Sequence, residues 1–144
     1  KEAVWLELEV LYLGTETNKM KKVISTTNAP AAIGPYSQAI LSNNTLYCSG
    51  QIAINPATGN LVMDNITIET AQVMQNIAAV LKAAEMDFSN VVKCSIFMKD
   101  MNDYAAINEV YAKHFEDNPP AREAVQVSVL PKNVNVEISV IAVK

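Results

Sequence analysis

The last quarter of the chain contains two segments in which apolar and polar residues alternate, and this period of two predicts β-strands covered on one face only. In the first segment Glu123, Val125, Val127 and Val129 face one side, and Arg122, Ala124, Gln126 and Ser128 face the other. In the second, Val134, Val136, Ile138, Val140 and Ala142 form the core face, and Asn135, Glu137 and Ser139 lie opposite. The pattern predicts a final antiparallel strand pair, with Arg122 and Glu137 on the same type of polar face.

The pairing of these two strands stays open at the level of the sequence. If Pro131 and Lys132 form the centre of a tight hairpin, Glu137 pairs with Gln126, and Arg122 lies roughly 13 Å away along the strand. Isolated charges on such a face usually meet only water. The alternation alone therefore assigns no function to either charge.

Earlier segments predict a hairpin and a long helix. Strands at 36–41 and 45–51 flank Asn43 and Asn44, a residue pair that tolerates the positive φ of tight turns. Thr67 is then predicted as the N-cap of a helix that runs to about Met86, with Glu69 in its first turn. The buried face of this helix is predicted to consist of Ala71, Met74, Ile77, Ala78, Leu81 and Ala84.

The order of the remaining elements predicts the fold class. Residues 91–98 are apolar on both parities, which suits a central strand, and Asn102 and Asp103 are predicted to cap a second helix. The inward stripe of that helix is predicted to be Tyr104, Ile107, Tyr111 and Phe115. The prolines at 119–120 end it before the final strands. The whole order indicates an α+β sandwich with both helices on one face of the sheet.

Composition excludes several classes of protein. A chain of 144 residues fits one domain, and the longest apolar runs are too short to span a membrane. The net charge of −4, with 11 scattered Lys and Arg residues, gives no footprint for nucleic acid. Cys48 and Cys94 have no metal spacing, and the one histidine, His114, has no nucleophile placed near it. We expect a soluble, cytoplasmic protein without a cofactor or a metal.

Residues 20–144 resemble the RidA (YjgF) family of reactive intermediate deaminases. The resemblance rests on four segments in the family's order, namely Asn28–Ala39, Ser49–Ile52, Lys99–Tyr111 and Pro120–Ile138. The resemblance extends over 125 of the 144 residues, so the match is specific. Residues 1–19 lie outside it and are interpreted as an N-terminal extension of unknown role, since Glu7 and Glu9 interrupt any signal-peptide core.

The resemblance implies a fold, an assembly and an activity. The fold is chorismate-mutase-like, with a mixed sheet and two helices on one face, and three chains assemble with clefts between neighbours. Ile141 and Val143, on the predicted face opposite the helices, support such an assembly because a monomer would leave them in water. The implied activity hydrolyses 2-iminobutanoate or 2-iminopropanoate, released by pyridoxal-phosphate enzymes such as threonine or serine dehydratase, to 2-keto acids and ammonia.

The resemblance also implies a site. Arginine stays protonated and its planar fork matches a carboxylate, so Arg122 suits the acid group of such a substrate. The resemblance gives Glu137 the role of positioning or activating the attacking water. Ala124 stands where some members have cysteine, and Glu123 replaces a small residue but faces away from Arg122. The implied catalytic residues are Arg122, Glu137 and Tyr36, and the implied substrate-binding residues are Arg122, Gly50, Asn108 and Ala124.

Other interpretations remain open. Taken alone, Tyr36 is a core aromatic residue and Asn108 a solvated helix position. The same cleft also suits a non-catalytic trimeric regulator that binds 2-keto acids. An endoribonuclease or translation inhibitor is less favoured, because the sequence has neither a basic groove nor a histidine pair. A chaperone role would require a large exposed apolar patch.

Overall fold

Six strands of the computed structural model, which describes residues 21–144, form one mixed sheet in the order β1-β2-β3-β6-β4-β5. The strands are β1 Lys22–Ile24, β2 Ala39–Ser42, β3 Thr45–Cys48, β4 Val91–Met98, β5 Ala121–Gln126 and β6 Val136–Val143, and the helices are α1 Ile66–Ala83 and α2 Tyr104–Ala112. The predicted α+β class and mixed sheet are confirmed. The predicted extension 1–19 lies outside the described residues.

The hairpin formed by β2 and β3 turns at Asn43, whose φ of 54° confirms the predicted turn. Both strands are shorter than the sequence predicts. Strand β3 ends at Cys48, and Gln51 then exchanges two backbone hydrogen bonds with Ile138 of β6, at 2.8 and 3.1 Å. Tyr36 and Gly50 therefore lie in the connecting segments rather than in strands.

Helix α1 begins two residues earlier than predicted. Asn65, not Thr67, is its N-cap, and the Asn65 side chain accepts a hydrogen bond of 2.9 Å from the backbone N–H of Ile68. The helix ends at Ala83, since Glu85 adopts a left-handed φ of 58°. Its predicted face is confirmed at Met74, Ile77, Leu81 and Ala84, whereas Ala71 and Ala78 are half-buried and Val73 and Val80 complete the face.

Helix α2 packs Ile107, Val110 and Tyr111 into the core. The prediction that Tyr104 belongs to this inward stripe is wrong, because its side chain is 37% exposed. Tyr104 is the first residue of the helix, and its hydroxyl contacts Arg122 instead. Within residues 21–144, no helix combines the length and the apolar character that crossing a membrane requires.

The predicted antiparallel pair of β5 and β6 does not form. Strand β6 lies between β3 and β4, and β5 pairs in parallel with the far side of β4. Helix α2 provides the crossover connection that a parallel pair needs. The hairpin register that would set Glu137 against Gln126 is therefore wrong. Glu137 faces Phe97 of β4 instead.

One face of the sheet is covered by the helices and the other is open. Val136, Ile138, Val140 and Ala142 are buried on the helix side, as predicted. The open face carries exposed apolar side chains on four different strands, which are Val23, Tyr47, Val125 and Val143, and the half-buried Ile141 lies among them.

Candidate functional site

A cavity of about 460 Å³ opens where the segment after β3 meets the start of β6. Its walls combine apolar side chains with a few polar groups, which suits a small organic ligand. The residues that define it are Ile33, Tyr36, Gly50, Ile52, Lys132 and Glu137. Glu137 is the acidic side chain among them.

Glu137 lies directly against the backbone of Gly50. A Cβ atom at Gly50 would stand 1.9 Å from Oε1 and 2.8 Å from Cδ of Glu137, so only glycine leaves room for the carboxylate. The pair of backbone hydrogen bonds between Gln51 and Ile138 holds the segment after β3 beside β6. Partial burial removes water from the carboxylate and raises the pKa of Glu137 above its ordinary value.

Tyr36 reaches the cavity from a loop anchored by a buried glutamine. The Gln38 side chain accepts a hydrogen bond from the Thr26 backbone N–H at 2.7 Å and donates one to the Pro30 carbonyl at 2.8 Å. Gly34, with a φ of 126°, turns the loop just before Tyr36. Tyr36 is 53% exposed and lines the cavity, so the interpretation as a core aromatic residue is wrong.

Arg122 lies on β5, at the edge of the sheet, and is held by helix α2. Its Nη1 donates to Asn108 Oδ1 and its Nη2 to the Tyr104 hydroxyl, both at 2.7 Å. The guanidinium carbon also lies 4.9 Å from the centre of the Tyr111 ring, a cation–π distance. A second cavity, bounded by Asn108, Pro120 and Arg122, opens beside the fork. These contacts fix the orientation of the arginine.

Glu123 points to the opposite face of the sheet. Its carboxylate accepts a hydrogen bond from Ser95 and pairs with the ammonium group of Lys93, and these contacts lower the pKa of Glu123, the Lys93 bond most. The negative charge next to Arg122 in sequence is thus neutralised by another side chain. The fork of Arg122 is left for an anion.

Comparison with known proteins identifies the family. The family model described as endoribonuclease L-PSP matches residues 26–144. A Capra hircus protein named 2-iminobutanoate/2-iminopropanoate deaminase is 50% identical over 125 residues, which cover 87% of this chain and 91% of that protein. The solved structure of the Rid-family protein YyfA from Yersinia pestis superposes with a TM-score of 0.85 at 51% identity, covering 87% of this chain and 100% of the other. The chain belongs to the RidA family. Another family structure, Escherichia coli TdcF with bound serine, has a TM-score of 0.83 at 38% identity, covering 86% of this chain and 99% of that one.

In this RidA-family chain the implied site residues fall into two groups. Gly50, Glu137 and Tyr36 meet at the first cavity, and Arg122 and Asn108 meet at the second. We refer to them as the glutamate half-site and the arginine half-site.

The prediction that Arg122 and Glu137 lie on the same type of polar face is wrong. Arg122 is aligned with Cys94 on the helix side, whereas Glu137 is aligned with Phe97 on the open side. Strand β4 separates them, which adds about 10 Å across the sheet, and the three-residue offset adds about 10 Å along it. Alternation defines faces within one strand, but it does not say which faces of two strands coincide.

Two other positions differ from expectation. Ala124 is aligned with Ile96 and packs against the core, and it lines neither of the two cavities. Tyr104, predicted as a core residue, belongs to the arginine half-site.

Sequence reasoning also missed the buried carboxylate of Glu69 in α1. The spacing of Glu69 to Val73, Ile77 and Val80 places it on the buried helix face. This helical spacing was the sequence signal that could have predicted its burial. Across residues 21–144, no group of three or more His, Cys, Asp or Glu side chains is arranged to hold a metal ion.

Proposed function

We propose that this chain is a 2-imino acid deaminase, which hydrolyses 2-iminobutanoate or 2-iminopropanoate to the 2-keto acid and ammonia. The observation that carries the proposal is the Glu137 carboxylate, partly desolvated against Gly50 at the wall of a cavity sized for a small ligand. A raised carboxylate pKa suits proton transfer near neutral pH. The relative named 2-iminobutanoate/2-iminopropanoate deaminase supports this choice of substrate.

The chemistry needs only a positioned water and a proton acceptor. The imine nitrogen takes up a proton from solvent, and Glu137 accepts a proton from water as the water oxygen bonds to the imine carbon. Glu137 then returns its proton to the nitrogen of the resulting carbinolamine, the C–N bond breaks as C=O forms, the hydroxyl proton is released to solvent, and ammonia leaves. One imino acid and one water give one keto acid and one ammonia.

Arg122 would hold the carboxylate of the substrate. Of its five N–H groups, the hydrogen bonds to Asn108 and Tyr104 use two, which leaves three for an anion. Charge-assisted hydrogen bonds of this kind contribute about 1.5–3 kcal/mol each when desolvated. Tyr36 would close the mouth of the cavity over the bound substrate.

The two half-sites would meet between protomers of a homotrimer formed by the unit at residues 20–144. The separation of Arg122 and Glu137 on one chain supports this assembly, since a small imino acid cannot span both. The apolar side chains of the open face support it as well, because a partner sheet would bury Tyr47, Ile141 and Val143. The edge position of strand β5, which carries Arg122, supports a contact between Arg122 and a neighbouring protomer.

The test couples a threonine or serine dehydratase to this protein and follows ammonia release, with spontaneous imine hydrolysis subtracted. We expect acceleration by the wild-type chain, none by Arg122→Ala, and partial recovery with Arg122→Lys, which keeps the charge but loses the fork. A wild-type chain that does not accelerate hydrolysis would refute the assignment.

A second candidate is a keto-acid-binding regulator. The arginine half-site favours it, because its fork is assembled by Asn108 and Tyr104 without any help from Glu137. Calorimetric titration with 2-ketobutyrate, combined with the dehydratase-coupled assay, separates the two functions, since a regulator binds the keto acid without accelerating hydrolysis.

A further inference from the structure

Glu69 is a carboxylate with no exposed surface, in the first turn of helix α1. Its Oε1 accepts a hydrogen bond of 2.7 Å from the backbone N–H of Asn135, and its Oε2 accepts one of 2.8 Å from Asn135 Nδ2. The carbonyl of Asn135 in turn accepts a hydrogen bond of 2.9 Å from the Lys99 backbone N–H. The peptide groups and side chain of Asn135 are thus held from two directions.

Burial of a carboxylate is unfavourable unless its oxygens are hydrogen-bonded. Both oxygens of Glu69 bond to a residue 66 positions away in the chain, and helix α1 could be capped without them because Asn65 already does so. The position of Asn135, two residues before Glu137, indicates what the contact does. It fixes the entry of the chain into β6.

The segment from Asn135 to Ile138 is held at both ends. Glu69 binds its first residue, the bridge to Gln51 binds its last, and pairing with β4 holds the backbone between them. Glu137 lies between these two attachments, with its carboxylate in the space that a Cβ atom at Gly50 would fill. A shift of the chain at Asn135 would change where the carboxylate stands between Gly50 and the cavity.

We propose that Glu69 is a positioning residue for Glu137, acting through Asn135 to set where the Glu137 carboxylate stands against Gly50. The inference rests on the proposed function of Glu137 as the proton acceptor. Glu69 touches no substrate. Its effect is on the placement of the group that does.

The first variant is Glu69→Gln, which keeps the shape but replaces one acceptor by a donor. Two donors of Asn135 then face one acceptor and one N–H group, so one hydrogen bond must break. We expect kcat to fall about tenfold or more, because small misplacements of a catalytic group are costly to the rate. KM and the affinity for 2-ketobutyrate should change less than about twofold, since Arg122 is unaffected.

The decisive variant adds Asn135→Asp to Glu69→Gln. The amide introduced at position 69 then donates to the carboxylate introduced at position 135 and accepts from the backbone N–H, so both hydrogen bonds return, the one between side chains with reversed polarity. We expect the double variant to recover most of the wild-type kcat. Asn135→Asp alone brings two carboxylates together and should be the least active of the set.

Val80→Ala is the matched control. Val80 is equally buried and belongs to the same helix, but its substitution leaves the contact with Asn135 intact. It should destabilise the fold and leave kcat of the folded protein unchanged. If Glu69→Gln does not fold, Asn135→Ala removes only the Nδ2 bond, and a partial fall in kcat with KM unchanged is expected.

Hydrogen exchange tests the positioning without any assay of activity. The amide protons of Gln51 and Ile138 report directly whether the segment stays docked beside Gly50. Their protection should fall in Glu69→Gln and return in the double variant, whether or not the protein hydrolyses imines. Normal kcat and protection in Glu69→Gln, or equal losses in the single and double variants, would overturn the proposal.

Discussion

Arg122 and Glu137 lie on opposite faces of the same sheet, with strand β4 between the strands that carry them. Each is well supported where it stands, the arginine by Asn108 and Tyr104 and the glutamate by the backbone of Gly50. On one chain, the two half-sites are too far apart to bind the same small ligand. A composite site between protomers requires this arrangement.

Mixing two inactive variants should therefore restore activity. In trimers co-expressed from equal amounts of Arg122→Ala and Glu137→Gln, a native site needs the intact arginine from one protomer and the intact glutamate from its neighbour. Each condition is met with a probability of one half, so about a quarter of the wild-type rate is expected. The dehydratase-coupled assay measures it.

A second mixture serves as the control for the first. Wild-type chains mixed equally with the double variant Arg122→Ala/Glu137→Gln should also give about a quarter of the rate for sites between protomers, but about half for sites within one chain. No recovery in the first mixture, together with half the rate in the second, would show that each chain acts alone.

The sequence predicted the features of this fold that depend on local pattern. The buried face of β6, the turn at Asn43 and the central position of β4 were all read correctly, because side-chain alternation and positive φ are properties of a few neighbouring residues. The predicted partner of β5 was wrong, since alternation does not specify which strand lies beside which.

In the candidate site, too, the sequence predicted what depends on local motifs and missed what depends on tertiary packing. The family motifs indicated Arg122, Asn108, Gly50 and Glu137 as site residues, and each of these lines a cavity. Tyr104 was assigned to the core because a helix stripe includes residues at its margin, whose side chains can turn toward a neighbouring strand. Contacts such as this one depend on tertiary packing that no local pattern contains.

Replacing Gly50 with alanine should displace the Glu137 carboxylate. The added Cβ would stand 1.9 Å from Oε1, so the glutamate side chain must rotate away from its position. We expect kcat to fall about tenfold or more while the protein still folds, because the end of a side chain can yield more easily than backbone. Steady-state kinetics and thermal unfolding provide the two measurements.

Gly59→Asn is the matched control for this substitution. Gly59 has a φ of 75° and open space around it, and asparagine tolerates such a backbone. Its activity should equal that of the wild type. Equal activity of Gly50→Ala and Gly59→Asn would mean that the glutamate does not need its place beside Gly50.

A charge on the open face should prevent assembly. Ile141→Glu places a carboxylate where the proposed neighbour would bury it, at a penalty of several kcal/mol. Light scattering should give three chains per particle for the wild type and one for the variant, and imine hydrolysis should be lost with the trimer. Ile68→Glu, on the exposed side of α1, should leave both unchanged. A wild-type monomer with full activity would contradict the composite site.

The pH dependence of Glu137 should differ in sign from that of Glu123. Burial raises the pKa of Glu137, so its contribution to stability is present below the unfolded pKa of about 4.3 and is lost as the pH rises through the folded value. The unfolding temperature of Glu137→Gln, relative to the wild type, should therefore rise between pH 4 and pH 7. The Lys93 bond lowers the pKa of Glu123, so its contribution is lost as the pH falls, and the relative unfolding temperature of Glu123→Gln should fall over the same interval. Parallel shifts of the two variants in calorimetry would show that the Glu137 carboxylate is not desolvated.

In the wild type, kcat/KM for the imine should rise as Glu137 loses its proton, at a higher pH than an ordinary glutamate would show, and this ionisation should be absent from Glu137→Gln.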